Sequence, residues 1–188
     1  MHPLAKQAAA YFATNEKAYI RLSYATEDLP VGDYHFSVYA WSYVGISPHF
    51  KLVVVCDDDV IADELPDILQ ESQSGASAVK IDPSDWDALE KKQVKLWMDA
   101  KAEEIKEAGN TSTFKIESLS NNYRNRKRSL EQKIQDTTSD SIRRMYTSEL
   151  ESATDTYELK VAEIRKQVEQ TDIHTTLIAN GILDVVSG

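Results

Sequence analysis

The sequence predicts an α+β protein with a small antiparallel sheet and packed helices. A long antiparallel helical hairpin is inserted in the chain before the last strands of this sheet. All five prolines lie within the first 83 residues. Beyond them, apolar residues recur three and four positions apart, the spacing of an amphipathic helix. The chain then closes on a β-rich run. We therefore predict an α/β body of residues 1–83 with 171–188, and a helical coiled-coil arm of residues 84–170.

The first part of the predicted body combines one helix with three strands. Residues 4–14 are rich in helix formers, and residues 17–25 alternate with a strand period. Two runs dense in aromatic and β-branched residues, 33–46 and 50–56, predict further strands. The breaks from Gly45 to Pro48 indicate that these two strands form an antiparallel hairpin.

The rest of the body consists of a helix and short strands. Residues 60–72 have apolar positions at helical spacing, and residues 76–82 predict a short strand. Near the end, Asn180-Gly181 separates two β-rich runs. This pair is a strong signal for a tight hairpin, because both turn positions need positive φ. The sequence therefore predicts that the chain ends in two strands.

The arm is predicted from two narrow apolar stripes. Ser84 is a suitable N-cap for the first helix, and Gly109-Asn110 either ends or only interrupts it. Ser139 or Asp140 caps the second helix. The stripe of the first helix comprises residues 116, 119, 123, 130 and 134, and that of the second comprises 142, 146, 150, 153, 157, 161, 164 and 168. Each helix can bury its stripe against the other, which is the pattern of an antiparallel coiled coil.

The bulk composition excludes several classes of protein. The formal net charge of -10 argues against wholesale coating of nucleic acid, although a local basic surface stays open. The single cysteine, Cys56, cannot form an internal disulfide, which fits a reducing, cytoplasmic location. It follows an apolar strand, so we predict a buried thiol. No apolar run reaches the ~20 residues of a membrane span, and we predict no membrane partner.

The chain is acidic, but basic residues are concentrated in the stretch NNYRNRKRSL, residues 121–130. Two further arginines are expected near the same end of the arm. We call the following residues the basic cluster: Arg124, Arg126, Lys127, Arg128, Arg143 and Arg144.

Two interpretations of the basic cluster stay open. In the first it is a solvated face, and Arg126 and Lys127 flank the helical seam. These two would then form salt bridges with acidic residues of the second helix, which carries Glu149, Glu151, Glu158 and Glu163. In the second interpretation the cluster contacts the phosphates of a nucleic acid.

Neither the carboxylates nor the histidines are arranged as a metal site. Asp57, Asp58 and Asp59 follow a strand, where magnesium chemistry often lies, but consecutive side chains point in different directions. We predict that they cap the next helix. The four histidines are scattered, and no metal ligand set is predicted. His35 and His49 are predicted to pack as a cross-strand pair.

The chain carries no motif of a self-contained enzyme. No glycine is followed by lysine, so a phosphate-binding P-loop is missing, and the G-x-S-x-G and H-E-x-x-H motifs are also missing. We therefore predict no catalytic residues and no cofactor. The aromatic strand, residues 34–43, could stack nucleic-acid bases, but such strands more often form core, and we predict core.

Three segments together resemble a known family. They are HPLAKQAAAYF, LPVGDYHFSVYAWSYVGISPHFKLVVVCDDD and SIRRMYTSELESATDTYELKVAEIRKQVEQTDIHTTLIANGILDV. In this order they resemble the C-terminal accessory region of bacterial Snf2-like, RapA-like ATP-dependent helicases, several of which occur in phage-defence systems. The resemblance covers most of the chain. It implies an ATP-binding parent helicase whose motor lobes precede this module.

The first functional hypothesis is a non-catalytic C-terminal accessory domain of an Snf2-like helicase, whose arm contacts DNA through the basic cluster or regulates the motor. The alternative is a protein-interaction scaffold, in which the helical arm pairs with a partner protein. A third hypothesis, a metal-dependent nuclease at Asp57 to Asp59, predicts magnesium-dependent cleavage, which we do not expect.

Overall fold

The computed structural model describes residues 18–74 and 83–188. The predicted helix at 4–14 and the predicted strand at 76–82 lie outside these residues. The chain divides into two compact units. Within the described residues, unit 1 comprises 18–43, 48–74, 83–101 and 173–188. Unit 2 comprises 44–47 and 102–172.

Five strands and three helices form the described chain. The strands are β1 (Ala18–Ala25), β2 (Gly32–Val44), β3 (His49–Cys56), β4 (Gln73–Ser74) and β5 (Asp172–Val186). The helices are α1 (Asp59–Glu71), α2 (Pro83–Asp136) and α3 (Asp140–Glu169). This content confirms the α+β class.

The sheet is mixed, with the strand order β3-β2-β5-β1-β4. β2 and β3 pair antiparallel, from Phe36 opposite Cys56 to Tyr43 opposite His49, which confirms the predicted hairpin. β1 and β5 run parallel, with Ala25 opposite Val186, so the prediction of an antiparallel sheet was wrong. Parallel neighbours need a long connection. Here most of the chain lies between the two strands, and alternation within a strand carries no information on its direction.

The predicted turn at Asn180-Gly181 was also wrong, because both residues lie inside the single strand β5. Asn180 is buried, and its side-chain oxygen accepts a hydrogen bond of 2.8 Å from the Ser37 hydroxyl. A Cβ on Gly181 would lie 2.6 Å from Cε1 of Phe36 and 2.9 Å from Cγ1 of Ile20. The lack of a side chain at Gly181 therefore leaves space for the Phe36 ring. Tertiary packing explains the Asn180-Gly181 pair, which the sequence pattern predicts as a turn.

Gly45 is the glycine whose backbone conformation matters. Its φ is +118°, and a Cβ there would lie 2.9 Å from Cα of Thr171 and 3.0 Å from the carbonyl oxygen of Gln167. Residues with a side chain rarely adopt such a φ, and the surrounding backbone leaves no space. This position therefore requires glycine on both counts.

Both faces of β2 are buried. Phe36 belongs to one core cluster, in which α1 contributes Ile61 and Leu65. Tyr39, Trp41 and Tyr43 belong to a second cluster that includes Leu89 of α2. The aromatic strand is therefore core, as predicted.

The long helix contributes to both units. Residues 83–101 belong to unit 1, where Leu89 is buried and the indole Nε1 of Trp97 donates a 2.7 Å hydrogen bond to the carbonyl of Ile173. The sequence predicts a body–arm boundary at 83/84 instead. α2 continues through Gly109 without a break, at a cost of about 1 kcal/mol relative to alanine.

Unit 2 is formed mainly by α2 from residue 102 onward and by α3. Ser139 is the N-cap residue of α3, one of the two predicted, although its side chain makes no capping hydrogen bond. Tyr123 of α2 stacks on Tyr157 of α3, and Lys133, further along α2, lies over the ring of Tyr146, earlier in α3. This order of contacts is the one that an antiparallel pair of helices requires. A regular coiled-coil seam stays a prediction.

Candidate nucleic-acid interface

The basic cluster lies entirely on the two helices of unit 2. Arg124, Arg126, Lys127 and Arg128 are on α2, and Arg143 and Arg144 are on the first turns of α3. All six side chains are exposed. Residues 118–130 contain four basic residues and no acidic one, and residues 141–148 contain two basic residues and no acidic one. These two stretches are therefore locally positive in an acidic chain.

Two members of the cluster have acidic neighbours on their own helix. Nζ of Lys127 lies 3.8 Å from Oε1 of Glu131, one helical turn away. Nη1 of Arg143 lies 2.9 Å from Oδ1 of Asp140, and its Nη2 donates a 2.9 Å hydrogen bond to the carbonyl of Thr137. Arg143 therefore stabilises the start of α3 by linking this helix to the preceding turn.

The first interpretation of the basic cluster expects salt bridges between the helices, and the described residues do not form them. Within residues 18–74 and 83–188, neither Arg126 nor Lys127 pairs with an acidic residue of α3. Glu131 lies four positions after Lys127 on the same face of α2, so Lys127 can contact it without reaching across to α3. The space between the helices is occupied by the stacked rings of Tyr123 and Tyr157.

Four guanidinium groups of the cluster remain without an acidic partner. Arg124, Arg126, Arg128 and Arg144 form no ion pair with any residue in the described part of the chain. Arginine presents several donors in a planar fork that matches the oxygen atoms of a phosphate. An exposed arginine whose donors are not already engaged can contact such a group without first breaking an internal ion pair.

An open groove of about 150 Å³ lies beside the stacked tyrosines of unit 2. Arg126 of α2 and Lys160 of α3 both line it, together with Asn122 and Thr156. Lys160 is not among the site residues predicted from the sequence. The spacing in the sequence could have identified this residue. Lys160 follows Tyr157 by three positions, as Arg126 follows Tyr123, and residues three positions apart share one face of a helix.

Of the three consecutive aspartates, which are predicted to cap the next helix, only Asp58 does so, and Asp57 and Asp59 pair with other residues of unit 1. Oδ1 of Asp58 accepts hydrogen bonds from the amides of Val60 at 2.8 Å and Ile61 at 3.1 Å, and so caps α1. Asp59 pairs with Lys92, which holds the pKa of Asp59 below its usual value through their hydrogen bond and charge attraction. In the described ranges no group of three acidic, histidine or cysteine side chains is placed to bind a metal ion.

The two histidines of the β2–β3 hairpin do not form the predicted pair. His35 has a nitrogen 3.1 Å from Oδ2 of Asp57, and its ring meets Trp86 edge-on at 5.3 Å. His49 stacks on Tyr43 at 3.9 Å. The strand register explains the difference, because it places His49 opposite Tyr43, at the far end of the hairpin from His35.

Cys56 is fully buried at the end of β3, which confirms the prediction for this residue. Burial raises the pKa of its thiol from 9.0 to about 11. At neutral pH the sulfur is therefore protonated, and a protonated, buried thiol is a poor nucleophile.

Comparisons with known proteins identify no family for this chain. No family model matches the sequence, and no curated protein is significantly similar to it. Among the described helices, none combines the length and apolar character needed to cross a membrane.

Proposed function

We propose that this chain is a non-catalytic module that contacts nucleic acid through the basic cluster of unit 2. The observation that carries the proposal is the group of four exposed arginines without an acidic partner in the described structure: Arg124, Arg126, Arg128 and Arg144. The chain has 31 acidic residues against 21 basic ones, so carboxylates are plentiful. Positive charge is nevertheless concentrated in two stretches of the sequence, 118–130 and 141–148, that contain no acidic residue, which favours an anionic ligand.

The spacing of the cluster suits an extended polyanion. Lys133 of α2 faces Tyr146 of α3, so Arg143 and Arg144 lie beyond Arg126 along the same pair of helices. With a rise of 1.5 Å per residue, the two groups of arginines are separated by roughly 15 Å. DNA presents one phosphate per 3.4 Å of each strand, so several phosphates lie within this distance. Such contacts are independent of base sequence.

The proposed role in the cell is that of a C-terminal accessory domain in an Snf2-like, RapA-like ATP-dependent helicase. The two helices would act as a coiled-coil arm that contacts DNA or regulates the motor, and the ATP-binding motor lobes would be its partners. The resemblance of the sequence motifs supports this placement, and the single, deeply buried cysteine fits the cytoplasm. The engaged carboxylates of unit 1 and the protonated thiol of Cys56 favour contact over catalysis.

The second candidate function is a protein-interaction scaffold, and exposed apolar side chains of unit 2 favour it. Ile142 and Met145 flank the two arginines of α3 and are 44% and 49% exposed, and Phe114 is 72% exposed. Contiguous exposed apolar side chains mark surfaces that other proteins can cover, and Ile142 and Met145 lie three positions apart on one face of α3. The two candidates differ in salt dependence, because phosphate contacts weaken steeply with salt and an apolar surface hardly responds.

A pair of charge-matched variants tests the proposed function. The cluster variant carries Arg124→Gln, Arg126→Gln, Arg128→Gln and Arg144→Gln. The control variant carries four substitutions of exposed helical cations outside the cluster: Lys91→Gln, Lys95→Gln, Arg165→Gln and Lys166→Gln. Both variants lose four positive charges, so their long-range repulsion from DNA is similar.

The measurement is fluorescence anisotropy of a labelled 24-base-pair duplex at 50 mM salt. We expect the cluster variant to lose at least about 100-fold in affinity relative to the natural chain, and the control variant to lose less than about 10-fold. Equal losses in the two variants would contradict a localised interface. A natural chain that does not bind the duplex at this salt concentration would overturn the proposed function altogether.

A further inference from the structure

We propose that the groove beside Tyr123 and Tyr157 binds a single backbone phosphate of the nucleic acid, held between Arg126 and Lys160. This inference rests on the proposed function and deepens it. It adds Lys160 as a contact residue outside the basic cluster, and it extends the interface from α2 across to α3.

One cation lines the groove on each side, beside the apolar side chains of Leu119 and Ala153. Arg126 comes from α2 and Lys160 from α3, and no acidic residue lines the groove. Neither cation forms an ion pair with a residue in the described ranges. Two like charges that share a groove repel each other, and an anion between them would replace this repulsion with two attractions. The groove therefore selects for negative charge.

The helical geometry makes the two cations converge. Arg126 and Lys160 each lie three positions after one of the stacked tyrosines, Tyr123 and Tyr157. Side chains on an α-helix lean toward the N-terminus of their own helix, which is toward the tyrosine pair in both cases. Their Cα atoms are separated by roughly 9 Å along the axis, for three residues of rise on each helix. One phosphate can therefore be contacted by both side chains.

The groove is too small to enclose a larger ligand. Its volume is about 150 Å³, whereas pockets that enclose whole small molecules usually have roughly 300–1,000 Å³. A nucleoside with its phosphate would not be enclosed. A single tetrahedral anionic group, attached to a backbone that runs outside the groove, is the ligand that this volume and charge fit.

The hydrogen-bonding groups of the groove agree with this assignment. The hydroxyl of Thr154 donates to the carbonyl of Leu150 at 2.8 Å, so the Tyr123 hydroxyl, 3.0 Å away, is the donor to Thr154. The hydroxyl of Thr156 donates to the carbonyl of Ser152. The hydroxyl protons of Tyr123, Thr154 and Thr156 are thus engaged. The donors that remain for a ligand are the amide of Asn122, the hydroxyl of Tyr157 and the two cationic groups, and all of these suit phosphate oxygens.

The test compares Lys160→Gln with Lys166→Gln in the full chain, using duplex DNA. Both lysines are exposed residues of α3, and Lys166 does not line the groove. We expect Lys160→Gln to weaken duplex binding about 5- to 10-fold at 0.1 M salt and to reduce the slope of log affinity against log salt by about 0.9. Lys166→Gln should change the affinity less than about 2-fold. Lys160→Arg should keep the affinity of the natural chain.

Other outcomes overturn the inference in distinguishable ways. If the natural chain binds duplex DNA but Lys160→Gln behaves like Lys166→Gln, the groove is not a contact site, and the proposed function is unaffected. If Lys160→Gln weakens binding of single-stranded DNA but not of the duplex, the groove holds a base and not a backbone phosphate. If the natural chain binds neither form of DNA, both the inference and the proposed function are wrong.

Discussion

Tyr123 and Tyr157 stack between the two long helices of unit 2, with their ring centroids 4.6 Å apart and their planes 8° from parallel. The hydroxyl of Tyr123 also donates to Thr154, one turn before Tyr157 in α3. Stacking and the hydrogen bond together hold one position of α2 against one position of α3. The same pair forms the border of the groove to which we assign a phosphate. Register and the proposed binding site therefore depend on the same residues.

We predict that the tyrosine pair is energetically coupled. In a double-mutant cycle with Tyr123→Leu and Tyr157→Leu, the coupling free energy should be about 0.5–1.5 kcal/mol, because each single substitution removes the stacking. The measurement is urea unfolding followed by circular dichroism at 222 nm. Free energies that simply add would show that the rings do not stabilise each other.

Alanine substitutions at two glycines should change stability in opposite directions. Gly181→Ala should lower the free energy of unfolding by about 1–3 kcal/mol, because a Cβ would lie 2.6 Å from Cε1 of the Phe36 ring in a buried strand. Gly109→Ala should raise it by up to about 1 kcal/mol, because a Cβ there meets nothing within 4 Å and alanine favours the helix.

Two optical signals separate these effects. All three tryptophans, Trp41, Trp86 and Trp97, belong to unit 1 with Gly181, so tryptophan fluorescence reports the first substitution. Circular dichroism reports the helical residues around Gly109. A neutral Gly181→Ala would contradict the close packing described for β5.

We predict that Ser37→Ala destabilises unit 1 by about 1–3 kcal/mol. The serine hydroxyl is the hydrogen-bond donor to Oδ1 of Asn180, and both side chains are buried, so its removal leaves a buried oxygen unpaired. Ser42→Ala is the matched control on the same strand, because Ser42 is half-buried and has no side-chain hydrogen bond within residues 18–74 and 83–188. It should cost less than about 0.5 kcal/mol. Equal costs, from unfolding in urea, would exclude a specific role for the Ser37–Asn180 bond.

Cys56 should make the protein less stable in alkaline solution. Burial raises the pKa of the thiol from 9.0 to about 11, so between these values the unfolded chain releases a proton that the folded chain retains. The stabilising contribution of the neutral thiol is complete below pH 9 and is lost as the pH rises through 11. Relative to Cys56→Ala, the natural chain should lose about 2 kcal/mol between pH 8 and 10.5. Curves that stay parallel over this range would contradict the buried thiol.

Local signals in the sequence were sufficient for several elements. The β2–β3 hairpin follows from two aromatic and β-branched runs with a break at Gly45, and α1 follows from its apolar spacing. The parallel pairing of β1 with β5 could not be predicted in this way, because strand direction is decided by contacts between residues more than 150 positions apart. The strand position of Asn180-Gly181 could not be predicted for the same reason. Gly181 packs against the Phe36 ring and Asn180 accepts a hydrogen bond from the Ser37 hydroxyl, and both partners are distant in the chain.

Composition alone located the basic cluster, because four cations in five positions are conspicuous on an acidic chain. Their partners could not be predicted in the same way. Lys127 reaches Glu131 on its own helix, whereas the sequence suggests carboxylates of the second helix. Lys160 was missed because it stands between acidic residues in the chain, and only the fold brings it to the same groove as Arg126.

The salt dependence of duplex binding tests the central claim most directly. The affinity of the natural chain for a 24-base-pair duplex should be measured between 50 and 300 mM sodium chloride. If unit 2 makes four or five phosphate contacts, the logarithm of the affinity should fall linearly with the logarithm of the salt concentration, with a slope between about −3.5 and −4.5. An affinity that does not change over this range, or a chain that does not bind at 50 mM, would contradict the account.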